Sequence, residues 1–194
     1  MTLRIVHFPH PTLRYHSKPI RRVDAELRAV AAQMLDLMYE FEGVGLAANQ
    51  VALPLRIFVA NPAGKRGDGE ELVILNPELQ FAKGSEIDRE GCLSLPGLFA
   101  DVRRAKQIFL SGYDLQGNSV ERQLEGFLAR IVQHEVDHLN GKFFFDRLTD
   151  EQLRDLEQGL EDLVSEYRSQ HASDIAVSDD QAMQDLAAWE SRYA

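Results

Sequence analysis

The sequence predicts an α+β fold, with antiparallel sheets packed around a central helix carrying His134-Glu135-Val136-Asp137-His138 and a C-terminal helix beyond it. Three observations carry this. Apolar residues recur at spacings of three and four before residue 42 and after residue 126, which is the helical period. Residues 98–104, 107–114 and 118–125 read as antiparallel strands, the last two joined by a turn at Asp114-Leu115-Gln116-Gly117-Asn118. The strands gather in the middle of the chain and do not alternate with helices, so a parallel β-α sheet is disfavoured.

Residues 3–8 suit a short strand ended by Pro9 and Pro11, and residues 12–23 look irregular and basic. Asp24 is a candidate N-cap for a helix whose face is Leu27, Val30, Met34, Leu37, Met38 and Phe41. That helix must stop before Gly43-Val44-Gly45. A Gly-x-Gly run suggests a phosphate loop, but this one follows a helix and leads into a strand, the reverse of the order such loops need. Its small residues fit a close backbone approach better. Leu55 to Val59 is strand-like, residues 61–70 are an exposed loop with three glycines, and Leu72 to Leu75 is a short strand ended by Asn76-Pro77. Residues 78–89 suit another strand. Glu90-Gly91-Cys92-Leu93-Ser94-Leu95-Pro96-Gly97 then places the cysteine on an irregular, well-fixed turn.

In the central helix Phe127, Leu128, Ile131, Val132, Val136 and Leu139 form the apolar face, and Asn140-Gly141 ends it. Phe143 to Phe145 should pack back on the core. Thr149 with Gln152 forms a capping box for a helix bearing Leu153, Leu156, Leu160, Leu163, Val164 and Tyr167. Residues 171–180 read as flexible, and 181–190 as one more short helix with Met183, Leu186 and Trp189.

The chain has 194 residues, enough for one core of ordinary size. No apolar run reaches the ~18 residues of a membrane span, and the N-terminus lacks a signal core, so the expected location is the cytoplasm. The single cysteine, Cys92, forms no internal disulfide and fits a reducing cytosol; it is a buried apolar filler, a metal ligand or a nucleophile. Residues 150–194 hold 12 acidic and 3 basic side chains, while the rest is near neutral. No basic footprint for sequence-specific nucleic-acid binding exists.

The chemistry centres on His134 and His138. Four apart on a helix, they share a face and can reach one metal ion, with Glu135 placed to handle a water proton. Two histidines at this spacing are also common as surface or satisfied core residues.

Three stretches, GVGLAANQ (43–50), EGCLS (90–94) and QHEVDHLNG (133–141), resemble in order and spacing the signature motifs of peptide deformylase, over residues 1–168. The resemblance implies a metal-dependent hydrolase that removes the formyl group from N-formylmethionyl peptides leaving the ribosome. It implies Cys92, His134 and His138 as ligands of one ion, a set that leaves a tetrahedral position open. It implies Glu135 as proton carrier, and Gln50 and the Leu93 backbone N–H as donors to the oxyanion. The peptide would add as a strand along Val44, Gly45 and Leu46, its methionine entering a pocket walled by Val44, Phe127 and Ile131. Family members commonly use Fe²⁺ and are often isolated with Zn²⁺ or Ni²⁺. Arg103 or Arg104 is expected to pair with Asp137 or Glu42 by charge complementarity.

Two departures stand out. Some bacterial members carry a basic C-terminal helix for the ribosome, whereas residues 169–194 here are an acidic tail, unsuited to anchoring on RNA. Phe99 stands where many members have a polar or basic residue. Two other readings share part of the pattern. A zinc peptidase would take a third ligand downstream, for which His171 is available. A metal or peptide binder without catalysis would need neither Glu135 nor Gln50.

Overall fold

The computed structural model describes residues 2–172 and 179–194. The element order is α1 (Ala25–Glu40), β1 (Gly45–Ala47), β2 (Ile57–Ala60), β3 (Leu72–Lys83), β4 (Glu86–Cys92), β5 (Leu95–Arg104), β6 (Gln107–Tyr113), β7 (Ser119–Glu125), α2 (Gly126–Leu139), α3 (Asp150–Ala172) and α4 (Asp179–Tyr193), with short 3-10 turns between. Five antiparallel strands run in the order β1-β2-β3-β6-β7, and β4-β5 is a separate hairpin. The expected α+β architecture is present.

Local chemistry accounts for the main elements. Asp24 caps α1 by accepting from the Leu27 N–H at 3.0 Å. The α1 stripe Leu27, Val30, Met34 and Met38 is buried, but Phe41, one residue past the helix, is half exposed and outside it. Thr149 and Gln152 form the reciprocal capping box: the Thr149 N–H reaches Gln152 Oε1 at 3.1 Å, and the Gln152 N–H reaches Thr149 Oγ1 at 3.3 Å. At the end of α2, Gly141 takes φ +68°, as the Asn140-Gly141 pair suggests.

The sheet divides the core. Along β2, Ile57 and Val59 face the α1 side, while Phe58 and Ala60 face Ile131, Val132 and Val136 of α2. Alternate side chains of one strand thus enter two cores, so β2 is apolar throughout. A third cluster joins Leu95 and Val102 of β5, Phe143, Phe144 and Phe145, and Leu156 and Leu163 of α3. The helix α2 therefore lies between the large sheet and the hairpin.

Several expectations are corrected. Residues 3–8 form no strand. They are an extended arm that straps two loops together, the Val6 N–H bonding Gln50 O at 2.8 Å and the Phe8 N–H bonding Ser94 O at 3.0 Å. The strand at Leu72 does not end at Asn76-Pro77. It continues to Lys83 through a register shift between Leu75 and Glu78, with Asn76 at φ +49° absorbing the proline. The irregularity expected around Cys92 is present as a register shift between Gly91 and Cys92, but Cys92 itself ends β4 and only the two residues before Leu95 form the turn. The flexible stretch expected at 171–180 lies largely outside the described residues; α3 reaches Ala172 and α4 begins at Asp179.

The last helix docks. Leu186, Trp189 and Tyr193 are buried, and Trp189 and Tyr193 join the cluster of Leu27, Val30 and Met34. The Tyr193 hydroxyl reaches Asp24 Oδ1 and Glu26 Oε2, each at 2.9 Å, and the Arg21 N–H donates to Tyr193 O at 2.8 Å. Trp189→Ala is therefore expected to cost about 3–5 kcal/mol of stability, measured by urea unfolding. Unchanged stability would show that α4 contributes nothing to the fold.

Candidate metal centre

Each of the three motifs arrives on a different element. His134 and His138 stand one turn apart on α2, and Cys92 closes β4. Their ligand atoms lie within 4.8 Å of one another. Cys92 Sγ is 3.1 Å from His138 Nε2, which is 3.1 Å from His134 Nε2. Donors around a tetrahedral ion with bonds of about 2.0–2.3 Å sit roughly 3.3–3.6 Å apart, so small adjustments seat a cation here. One sulfur and two imidazole nitrogens at these separations fit a metal in both geometry and chemistry.

The surrounding groups fix the donors. Glu90 Oε2 lies 3.1 Å from His134 Nδ1, which leaves Nε2 to face the centre. Burial alone would raise the Glu90 pKa, but hydrogen bonds from His134 and Arg104, with the Arg104 charge, outweigh it and hold the carboxyl at about 2. Burial, then the neighbouring His134, pushes His138 well below the usual imidazole range, keeping its ring neutral. Its Nδ1 is buried without a partner among the described residues. Burial pushes the Cys92 thiol up to about 12. Coordination by a divalent cation reverses that penalty, because a bound thiol is deprotonated outright.

Glu135 lies beside this cluster. Its Oε2 is buried with no hydrogen-bond partner among the described residues, and burial raises its pKa well above the ordinary carboxylate range. It sits over Gly45: a Cβ there would collide with the Glu135 carboxylate and stand 2.9 Å from Ile131 Cγ2. That contact explains why β1 begins with glycine. Gln50, on the 3-10 turn after β1, is anchored by accepting the Ala47 N–H at 2.8 Å. Its Nε2 points to Cys92 Sγ at 3.4 Å and Ser94 Oγ at 3.3 Å.

The other sequence candidates are placed as follows. Leu93 lies in the tight turn between β4 and β5, its side chain against Gly43. β1 is the edge strand of its sheet. Val44 O accepts from the Asn61 N–H at 2.9 Å on the β2 side, so the backbone groups of Gly45 turn to the open edge. The Leu46 side chain is fully buried in the α1 core, and its backbone pairs with Val59 of β2. Ile131 is buried beside Gly45, Val44 is half-buried, and Phe127 is 53% exposed on the first turn of α2. Phe99 is half exposed, and its ring covers Gly91.

Of the charge pairs expected around Asp137, Arg104 makes one, with Nη1 2.6 Å from Asp137 Oδ2. Arg103 instead donates to Ser85, and Glu42 lies exposed beyond α1. The sequence alone assigns no role to Glu90, Arg130 or Arg147. Glu90 stands two residues before Cys92 on one strand, and Arg130 one turn before His134; those spacings were the available signals.

Comparison with known proteins bears on this geometry. A family model described as polypeptide deformylase matches residues 2–154. A peptide deformylase of Rhodopirellula baltica is 56% identical over 193 residues, covering 100% of this chain and 96% of that protein. The chloroplastic peptide deformylase 1B of Oryza sativa subsp. japonica is 40% identical over 85% of this chain; the match spans 62% of that longer protein. A plant peptide deformylase crystal structure superposes with a TM-score of 0.85 at 40% identity, covering 87% of this chain and 92% of that one. A peptide deformylase structure from Legionella pneumophila gives 0.78 at 35% identity, with 89% and 98% covered.

If Cys92, His134 and His138 form the metal set, Cys92→Ala lowers bound metal from one ion per chain to near zero after dialysis, read by elemental analysis. Full retention would remove the thiol from the set.

Proposed function

We propose roles for individual residues from one premise: this chain belongs to the polypeptide deformylase family, and is a metal-dependent hydrolase that removes the formyl group from the N-terminal formylmethionine of newly synthesised proteins, releasing formate. The observation that carries the assignment is the convergence of Cys92 Sγ with the two imidazole Nε2 atoms, beside a Glu135 Oε2 that has no partner among the described residues.

A divalent cation on Cys92, His134 and His138 would supply Lewis acidity to water and to the formyl oxygen. Glu135 takes a proton from the attacking water and delivers it to the amine nitrogen as the C–N bond breaks, leaving formate and a free methionyl terminus. Its raised pKa suits a group that must both hold and release a proton. Gln50 Nε2 and the Leu93 N–H donate to the formyl oxygen as negative charge grows there. The peptide backbone pairs with the open edge of β1 at Val44, Gly45 and Leu46. The methionine side chain is received by Val44, Ile131 and the exposed Phe127 ring. A catalytic domain of residues 1–168 contains every one of these positions, while residues 169–194 supply the docked helix.

The native ion is proposed to be Fe²⁺, with Zn²⁺ or Ni²⁺ as substitutes. Thiolate with imidazole accepts all three. A cytoplasmic location is proposed because the Cys92 ligand must stay reduced. Among the described residues no helix is long and apolar enough to cross a membrane.

One assay tests the chemistry: formate release from a formyl-Met peptide by protein prepared without air. Glu135→Ala should keep its metal and lose ~10²–10⁴ in rate. Unchanged turnover would take the proton-carrying role from Glu135. Air exposure should abolish activity of the iron form, and indifference to oxygen would argue for another ion.

Contact with the ribosome is proposed to be transient and independent of the acidic tail. Co-sedimentation with ribosomes should not weaken, and should change by less than about twofold, when acidic residues on the exposed face of α4, such as Asp180 and Asp185, are neutralised. A several-fold loss would make α4 a ribosome contact.

A further inference from the structure

We propose that Arg130 is a positioning residue of the metal centre, a strap that holds the Cys92 hairpin at its required distance from the helix bearing His134 and His138. This rests on the ligand reading above.

Two of the ligands are on α2 and the third is at the end of β4, so the centre exists only while hairpin and helix keep their spacing. Arg130 is on α2, one turn before His134, and is 4% exposed. Its guanidinium reaches both strands of the hairpin. Nη1 donates to Glu90 Oε1 at 2.6 Å on β4 and to Val102 O at 3.0 Å on β5; Nη2 donates to Glu86 O at 3.2 Å. Arg104 donates to the same Glu90 from Nε at 2.6 Å and Nη2 at 2.8 Å. However, Arg104 belongs to the hairpin itself and reaches α2 through Asp137. Arg130 adds the link made from the helix side, bonding β4 and β5 at once.

The arrangement is costly. Arg130 Nε is buried with no partner among the described residues. A buried guanidinium with an orphaned N–H is a poor stabiliser compared with a well-packed apolar chain. Its three donated bonds instead specify a position. Two of their acceptors are hairpin carbonyls and the third is the carboxylate that also orients His134. Methionine in its place would fill space but leave Glu90 held by Arg104 alone on that side.

The test uses the full chain loaded with Co²⁺, whose absorption reports the ligand field and whose thiolate band reports the Cys92 bond. Arg130→Met is expected to release Co²⁺ to excess chelator ~10–100-fold faster, the usual effect of losing a group that supports a ligand, with an altered visible spectrum. Arg130→Lys keeps the charge but reaches fewer acceptors, and should fall between. If Arg130→Met does not fold, Arg130→Lys alone decides. Trp189→Ala serves as control: destabilised far from the centre, it should leave spectrum and release rate unchanged. Wild-type release and spectrum in the folded Arg130 variants, or equal changes in Trp189→Ala, would overturn the proposal. A wild-type protein without a thiolate band would overturn the ligand reading as well.

Discussion

The constraint on which this structure depends is the spacing of three electron-pair donors, one sulfur and two nitrogens, drawn together by elements far apart in sequence. Cys92 and His134 are separated by β5, β6, β7 and half of α2. Their convergence demands that a hairpin outside the main sheet be fixed against a helix packed on that sheet. Apolar packing alone is non-directional and cannot set such a distance to a fraction of an ångström. Directional contacts do so here. Glu90 receives hydrogen bonds from Arg104 and Arg130 and faces His134, while Asp137 receives Arg104 at 2.6 Å and Arg147 at 2.5 Å. Apart from the exposed Arg147, the network is buried, so its charges are weakly screened and its geometry is stiff.

The first motif is held by different means. GVGLAANQ is locked by backbone and side-chain hydrogen bonds to its neighbours. Thr12 Oγ1 donates to Asn49 O at 3.1 Å, Asn49 Nδ2 donates to His138 O at the end of α2, and the arm residue Val6 donates to Gln50 O. The arm then continues to Ser94, beside the metal hairpin. A segment that sequence pattern makes into a strand thus becomes a tie between this first motif and the Cys92 motif. The docked α4 acts further out, closing the α1 core that underlies β1.

Much of this was legible in the sequence. The α2 helix, its end at Asn140-Gly141, the α1 N-cap at Asp24, the Thr149–Gln152 box and the β6–β7 hairpin all follow from local rules, because each depends on residues a few positions apart. What was not legible depends on partners distant in sequence. Residues 3–8 have strand composition but no neighbouring strand to complete a ladder. Asn76-Pro77 looks like a terminator, yet a register shift carries β3 past it. The Glu90–Arg130 pair has no local signature, since 40 residues separate the two and only the fold brings them to 2.6 Å. Asp137 and Arg104 were paired by charge alone, while Arg103, an equal candidate on that criterion, faces the opposite way in a strand where side chains alternate.

Two buried glutamates near the centre show how environment divides labour between identical side chains. Glu90 is surrounded by cationic donors, which overcome the cost of its burial and keep it ionised. It cannot readily accept a proton from His134, so it serves as a fixed charge that orients the ring. Glu135 is buried without a hydrogen bond to one of its oxygens, and burial dominates. Its anionic form is poorly stabilised until a cation or a substrate N–H is near, so proton gain and loss at Glu135 follow the state of the site. Exchanging the two environments would leave position 135 a fixed anion and position 90 a carboxyl that favours its neutral form. Arginines bond Glu90 directly, whereas Arg104 acts on Glu135 only as a charge without a hydrogen bond, and that difference sets the two carboxyls apart.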